Sequence, residues 1–369
     1  MGKIKICYIM PAMARGGAER FLLDLISNLD KSLFSVSIIL FKDKGSFYPE
    51  LKELNIDLHV LKKATLLGLI NLYRLFKLLK KIKPHIVHTQ LGGDIRGRLA
   101  AFLAGIKIII STEQNLNKSE ESYQQIAKII TAPLADEIVA ISQAVASDMQ
   151  HRYYLPVNKC QLIIPNGLDL KKFTYQENKK NTGNIKVGAI GRLHPQKGFD
   201  LMIKAWQKLT PNNAQLTIAG DGPEKNNLIK QITKAELTNS IKLLGDISHV
   251  NSFYDSLDLL LIPSRWEGLG IVALEAGARG VPIVASDADG LKEILTPERA
   301  WIFKTGDEND LANKLKEALN SLNTENTIKK QRSLRQYIED NFDIIKVVQN
   351  YTQLYLKLWQ QKYENTSSK

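Results

Sequence analysis

The 369-residue chain has two cysteines, Cys7 and Cys160. Two thiols cannot build a disulfide framework or, by themselves, a structural zinc site. Cys7 falls in an apolar run that reads as a buried strand, so it is expected to be an inert core thiol. A reducing compartment, the cytoplasm, is therefore expected. No stretch has 18 continuous apolar residues, which excludes an obvious bilayer-spanning helix. An apolar strand begins at Ile4 with no small-residue cleavage site behind it, and no secretory leader is expected. Short internal repeats and low-complexity tracts are lacking too.

The composition that remains is that of a folded globular protein: 44% hydrophobic residues, 23 Gly and 12 Pro. The length suits two domains better than one core. The net charge of +12 is unevenly spread. Residues 1–180 hold 26 Lys/Arg against 16 Asp/Glu, whereas residues 181–369 hold 24 against 22. One basic domain points to an anionic partner: nucleic acid, an acidic lipid surface or a phosphorylated substrate. No basic stripe interleaved with aromatics and no zinc module supports nucleic acid.

Apolar runs and helical periodicities alternate in the first half. Strands are expected at 3–10, 35–41, 84–88, 106–111, 138–141 and 162–164, with a helix at 18–29. This pattern argues for a parallel sheet covered on both faces. Residues 167–184 are polar and lysine-rich and read as an interdomain linker. The alternation then restarts, with strands at 185–190, 215–219, 241–243, 259–262 and 281–285 and a helix at 199–209. Residues 308–362 read as helical throughout, with an apolar stripe of Tyr351, Leu354, Tyr355, Leu358 and Trp359. A terminal helix of that kind can pack back on the first domain. The limits expected are 1–170 and 171–345 for the two domains, and 346–369 for the returning helix.

Chemistry-bearing residues cluster where strands end. Gly16 and Gly17 open the first helix, where glycines allow close backbone approach and free N–H groups face a ligand. The segment MPAMARGGAER lacks the GxGxxG spacing, which disfavours a nicotinamide cofactor. GRLHPQKG (191–198) sets Arg192 and Lys197 five residues apart in one loop after a strand. Two fixed cations at a helix start suit a diphosphate; a solvated loop is the plainer alternative. His194 between them is read as structural. Gly222, in the turn GDGP (220–223), brings backbone near a ligand or simply ends a strand.

The strongest local signal is PSRWEGLGIVALEAGARGVP (263–282). Glu275 sits in a helical run of small residues, where an unpaired carboxylate is costly, so it requires a hydrogen-bonding partner. Two vicinal sugar hydroxyls would serve, as would a salt bridge in the core. Glu267 lies eight residues earlier, at the mouth of the helix, with Glu275 expected two turns in. Asp287-Ala288-Asp289 superficially has the form of a DxD metal motif but follows a strand in the second domain, and metal binding there is not expected.

Residues 62–83 combine seven Lys/Arg with a dense apolar stripe that includes Leu66, Leu67, Ile70, Tyr73, Phe76 and Leu79. Such a helix can lie in a membrane interface, or it can be a crossover helix packed on the sheet.

Taken in order, these motifs resemble the family 4 glycosyltransferases of GT-B fold. They run GGAER (16–20), HTQLGGDIRGRLAAFLAG (88–105), STEQN (111–115), ISQAVASDM (141–149), IPNGLD (164–169), GRLHPQKG (191–198), AGDGPE (219–224), LLGDI (243–247) and PSRWEGLGIVALEAGARGVP (263–282). The resemblance covers nearly the whole chain. It implies an α/β protein of two facing Rossmann-like domains, with a C-terminal helix crossing back to the first. It also implies retaining sugar transfer from a nucleotide sugar, most commonly UDP-linked, with no metal cofactor.

Arg192 and Lys197 would then clamp the diphosphate, and Glu275 would bind the ribose. Glu267 would lie by the hexose. Gly191, Gly222 and the backbone of Gly268, Leu269, Gly270 and Ile271 would line the donor, with Gly16 and Gly17 touching it from the first domain. Family members commonly carry a histidine where this chain has Gln114, beside the transferred sugar. An amide can bond a hydroxyl there but cannot take a proton near neutral pH. His88 is the nearest alternative site residue and is otherwise structural. The acceptor implied is lipid-linked or a glycan, met at the inner face of the cytoplasmic membrane by a peripheral enzyme, with no nucleic-acid partner. The competing readings are another GT-B activity, an epimerase or a disaccharide synthase with a soluble acceptor, and a non-catalytic sugar-nucleotide or nucleic-acid binding protein.

Overall fold

The computed structural model describes residues 2–14, 16–41, 45–61, 68–116, 118, 122–153, 162–175, 183–211 and 213–364. The chain divides into two compact units, Met1–Gly167 with Ile344–Lys369, and Leu168–Asp343. Leu168–Tyr175, the start of the expected linker, belongs to the second unit and is anchored there. Leu168 N–H donates to Phe342 O at 2.7 Å, Phe173 is buried, and Asn251 Nδ2 donates to Lys172 O at 2.8 Å. The rest of that segment lies partly outside the described residues, as does Cys160.

The first unit contains strands β1 (Ile4–Met10), β2 (Phe34–Leu40), β3 (Asp57–Val60), β4 (Ile86–Gln90), β5 (Ile108–Glu113) and β6 (Glu137–Ala140). Its helices are α1 (Gly17–Asn28), α2 (Tyr48–Glu53), α3 (Gly68–Ile82), α4 (Asp94–Leu103), α5 (Ser122–Thr131) and α6 (Gln143–Tyr153). The sheet runs β3-β2-β1-β4-β5-β6, with every pair parallel. Its strands read as continuous apolar runs because both faces are covered by helices. Five of the seven β1 residues, Ile6, Cys7, Tyr8, Ile9 and Met10, are wholly buried. Burial raises the Cys7 thiol to about 12, so it stays protonated as a core thiol.

The second unit repeats the plan with β7 (Ile185–Ile190), β8 (Ala214–Ala219), β9 (Ile241–Gly245), β10 (Leu259–Ile262), β11 (Ile283–Ser286) and β12 (Trp301–Phe303). Between and after them lie α7 (Phe199–Leu209), α8 (Lys225–Lys234), α9 (Val250–Asp255), α10 (Ile271–Ala278), α11 (Glu308–Ser321) and α12 (Glu325–Asn341). The strand order β12-β11-β10-β7-β8-β9 is the same doubly wound order, read from the other edge. In such sheets the chain reverses direction between the first and fourth strands, and ligand-binding loops gather at the carboxyl ends there. The expected α/β class with two Rossmann-like sheets is what the chain forms. The short strands β3 and β12 carry too few residues for a periodicity to show, and the sequence pattern missed them.

The helical tail is three helices rather than one. Breaks fall at 322–324, where Asn323 takes a φ of 65°, and at 342–343. The last helix, α13 (Ile344–Trp359), returns to the first unit. Its buried stripe of Tyr351, Leu354, Tyr355 and Leu358 joins the core of the first sheet, with Trp359 half-buried beside it. Polar contacts fix its seat. Tyr355 Oη is 2.8 Å from His88 Nδ1 and 2.9 Å from Tyr8 Oη. His88 Nε2 is 2.7 Å from Thr112 Oγ1, which also meets Tyr351 Oη at 3.3 Å. Burial lowers the His88 imidazole to about 3, so it is a neutral part of the core. His88 is structural, and the alternative of a site residue is not supported.

In α3, Leu75 and Leu79 are buried while Ile70 and Tyr73 remain exposed. Part of the basic, apolar segment is thus a crossover helix with a buried face, packed against α4. Leu66 and Leu67 lie outside the described residues.

Candidate active site

In the second sheet β7 and β10 are neighbours, so the loops that follow them meet although the sequence separates them widely. Arg265 N–H donates to Gln196 O at 2.7 Å, and Gln196 Nε2 donates to Trp266 O at 3.0 Å. The Arg265 guanidinium bonds Pro195 O at 2.7 Å and forks onto Asp200 at 2.8 and 2.6 Å. Gly198 turns the chain with a φ of 65°, and a Cβ there would collide with Pro263 O. Only glycine allows this left-handed turn and this approach together. The third loop of the group is tied on through Leu193, whose N–H donates to Asp221 O at 2.9 Å and whose O accepts from Glu224 N–H at 3.0 Å. Gly222 lies in that loop, packed on Leu193.

This interlock brings Lys197 to Glu267. Nζ and Oε1 are 2.5 Å apart, and Ser264 Oγ donates to the same Oε1 at 2.7 Å. Glu267 is buried, and its charge is balanced by the lysine. The Lys197 stem crosses Gly191, where a Cβ would lie 3.4 Å from Cε. Arg192, on the same loop, is exposed.

Gly268 and Leu269 are buried, and Gly270, with a φ of 93°, begins α10 at Ile271. Glu275 is therefore one turn into the helix rather than two. The partner it requires is present: Tyr254 Oη donates to its Oε2 at 2.7 Å. Burial, then the adjacent carboxylate, holds the Tyr254 hydroxyl well above its ordinary value, so it remains a donor.

The neighbouring polar groups have structural duties. His194 Nδ1 accepts from Gln196 N–H at 3.2 Å, capping a short 3₁₀ turn. Asp287 accepts from Thr305 N–H at 2.8 Å and Thr305 Oγ1 at 2.6 Å. Among the described residues no group of three or more His, Cys, Asp or Glu is arranged around a metal position.

In the first unit Gly16 caps α1 and Gly17 begins it. The Glu19 side chain folds back over Gly16, so a carboxylate already occupies the space by this helix start. Burial raises the Glu19 carboxyl from its ordinary value. Gln114 follows β5 and is buried. Its Oε1 accepts from Asn166 Nδ2 at 2.7 Å, and its Nε2 donates to Gln90 Oε1 at 3.4 Å.

The structure thus unites Lys197, on the loop that also carries Gly191 and Arg192, with Glu267, and ties that loop to the one carrying Gly222. Sequence reasoning passed over Ser264, Tyr254, Gln90 and Asn166. Asn166 and Gln90 stood inside the quoted motifs IPNGLD and HTQ without a role. Ser264 carried a signal, lying three residues before Glu267 in one loop. Tyr254 carried none, since its partner is 21 residues away on another helix.

Comparison with known proteins gives a consistent picture. Residues 15–172 match the model of Glycosyltransferase Family 4, and residues 171–337 match that of Glycosyl transferases group 1. The UDP-Gal:alpha-D-GlcNAc-diphosphoundecaprenol alpha-1,3-galactosyltransferase of Escherichia coli is 27% identical, over 96% of this chain and 97% of its own length. The lipopolysaccharide core biosynthesis mannosyltransferase LpsB of Rhizobium meliloti is 35% identical, over 36% of this chain and 42% of its own. Anabaena HepE, crystallised in complex with UDP and glucose, superposes with a TM-score of 0.83 at 21% identity, over 96% of this chain and 100% of its own. With two family models meeting between its two doubly wound sheets and a relative matched from end to end, the chain belongs to the family 4 glycosyltransferases of GT-B fold.

Proposed function

We propose that this transferase moves a hexose or N-acetylhexosamine from a UDP-sugar to a lipid-linked or glycan acceptor in bacterial cell-surface polysaccharide or lipopolysaccharide synthesis. The anomeric configuration is retained and no metal is required. The observation that carries this reading is the interlocked loop cluster of the second sheet, which sets Lys197 on Glu267, with the exposed Arg192 on the same loop as Lys197. The Escherichia coli relative is named for a UDP-Gal donor and a diphosphoundecaprenol acceptor, and HepE of the same fold holds UDP. Both support the donor class.

In this mechanism the bond from sugar C1 to the diphosphate oxygen breaks as negative charge builds on the leaving group. Arg192 and Lys197 stabilise that charge, which supplies what a metal would otherwise provide. The acceptor hydroxyl attacks C1 from the leaving-group face, and the departing phosphate takes its proton. No protein base is needed, which accommodates Gln114. Glu267 orients the hexose and keeps Lys197 in place until the diphosphate competes for it. Glu275, held by Tyr254, binds the ribose hydroxyls. The backbone from Gly268 to Ile271 offers N–H groups to the donor, and the Gln114 amide is read as a contact of the sugar.

The acceptor reading places the enzyme peripherally on the inner leaflet. Exposed Arg74, Lys77, Lys80 and Lys81 on α3 accompany exposed Ile70 and Tyr73. Phe102 and Leu103 of α4 and Tyr123, Ile126 and Ile130 of α5 are exposed as well. Basic residues with apolar neighbours suit an anionic lipid surface. Among the described residues no helix is long and apolar enough to cross a membrane.

A thermal-shift panel of UDP, GDP, ADP, NAD and several UDP-sugars, run in chelator, tests the donor site. Stabilisation by UDP and further stabilisation by one UDP-sugar is the expected result. Equal flat responses to every nucleotide would remove the donor assignment.

A further inference from the structure

Three side-chain amides lie at the carboxyl edge of the first sheet. Gln90 is the last residue of β4 and Gln114 immediately follows β5. Asn166 lies just beyond Ile164, whose N–H donates to Ala140 O at the end of β6. Neighbouring packing fixes the loop that carries Asn166, since a Cβ on Gly167 would be 2.9 Å from Ile344 Cα at the start of α13. After Gln90 the chain bends sharply through Leu91, whose φ is 55°.

The amides form a one-way chain, from Asn166 Nδ2 to Gln114 Oε1 and from Gln114 Nε2 to Gln90 Oε1. All three are buried, with exposures of 1%, 8% and 0% for Asn166, Gln114 and Gln90. Both ends are open: Asn166 Oδ1 and Gln90 Nε2 are buried with no partner. Buried amide atoms are seldom left so, because each unsatisfied one is costly. In a glutamine the acceptor and donor ends are chemically distinct. An amide held at both ends can present only one arrangement of its remaining N–H and lone pair.

We propose that Asn166 and Gln90 are positioning residues that lock the Gln114 amide in one orientation, so that it reads a hydroxyl of the transferred sugar as donor and acceptor at once. The inference rests on the reading of Gln114 as a sugar contact. A hydroxyl is the group that complements an N–H and a carbonyl side by side. Such a reader selects between sugars that differ at one carbon, and it does not titrate.

The test uses the full chain with UDP-galactose, UDP-glucose and UDP-N-acetylglucosamine, following UDP release without acceptor, and measures UDP affinity by thermal shift. Gln114→Ala is expected to change the ratio of kcat/KM between two of these sugars tenfold or more, with UDP affinity unchanged. Asn166→Asp can only accept at that position, so it turns the Gln114 amide round and shifts the same ratio by a similar factor. In the Gln114→Ala background Asn166→Asp adds nothing further. Gln90→Glu still accepts from Gln114 Nε2 and is expected to keep the wild-type ratio. If Asn166→Asp does not fold, Gln90→Leu tests the lock from the other end.

An unchanged ratio in Gln114→Ala, or no release from any of the three sugars, would overturn the sugar-contact reading and the proposal with it. A changed ratio in Gln114→Ala with none in Asn166→Asp or Gln90→Leu would overturn the lock alone. So would a shift from Asn166→Asp that is the same with and without Gln114.

Discussion

Lys197 Nζ and Glu267 Oε1 are 2.5 Å apart although 70 residues separate them in the chain. The pair exists because β7 and β10 lie side by side, so the loops leaving them share one edge of the sheet. In the proposed donor site this buried carboxylate has two roles, to hold the lysine in place and to tie its charge until a diphosphate arrives.

Loss of either member should therefore have different signatures. Lys197→Ala removes a charge stabiliser, and turnover should fall by a factor on the order of 10²–10³. Glu267→Gln frees the lysine, so UDP affinity should hold or rise while turnover with the UDP-sugar falls. Steady-state UDP release and UDP titration of both variants separate the two effects. Arg192→Ala should resemble Lys197→Ala.

Tyr254 and Glu275 give a second pair. Removing the hydroxyl in Tyr254→Phe leaves the carboxylate with one donor fewer. If Glu275 holds the ribose, Glu275→Ala should weaken UDP binding by about 10-fold or more, the worth of a charged hydrogen bond. Tyr254→Phe should weaken it by a smaller factor. Isothermal titration with UDP and with uridine distinguishes a ribose effect from a phosphate effect.

His88 makes stability depend on pH. Its folded value, about 3, lies below the ordinary 6.5. Between these values the unfolded chain binds a proton that the folded chain does not. Stability is thus complete above pH 6.5 and declines as pH falls toward 3, by about 1.4 kcal/mol per unit from this group. Urea unfolding at pH 7 and pH 5 should differ by about 2 kcal/mol from His88. His88→Gln, even if less stable overall, should lose that part of the pH dependence.

Gly198 is a tight joint between the loops that follow β7 and β10. Gly198→Ala introduces a methyl against Pro263 O at a positive φ. A loss of at least about 1–3 kcal/mol is expected, and with it the seating of Lys197. Thermal melting and UDP titration should fall together.

The membrane reading predicts salt-dependent binding to vesicles rich in anionic lipid. Replacing Lys77, Lys80 and Lys81 by Ala should reduce co-sedimentation by about 1 kcal/mol per charge at low salt. Ile126→Ser with Ile130→Ser should reduce it at all salt concentrations. Equal binding of all variants would argue for another function of these exposed groups.

By itself, the sequence determined what depends on local periodicity and on residue type in order along the chain. Apolar runs marked the central strands, the amphipathic pattern marked α7 over its full length, and the ordered glycine and acidic motifs marked the family. Strand adjacency is different, because it follows from the winding of the sheet and from contacts far apart in sequence. Only the tertiary structure decided that Lys197 meets Glu267 and that Tyr254 satisfies Glu275. It also decided that His88 is locked into the core by Tyr355, 267 residues away, and not turned toward a ligand. The same holds for the chain of Asn166, Gln114 and Gln90. Each amide is unremarkable in its own motif, and only parallel strands ending side by side bring the three within hydrogen-bonding distance.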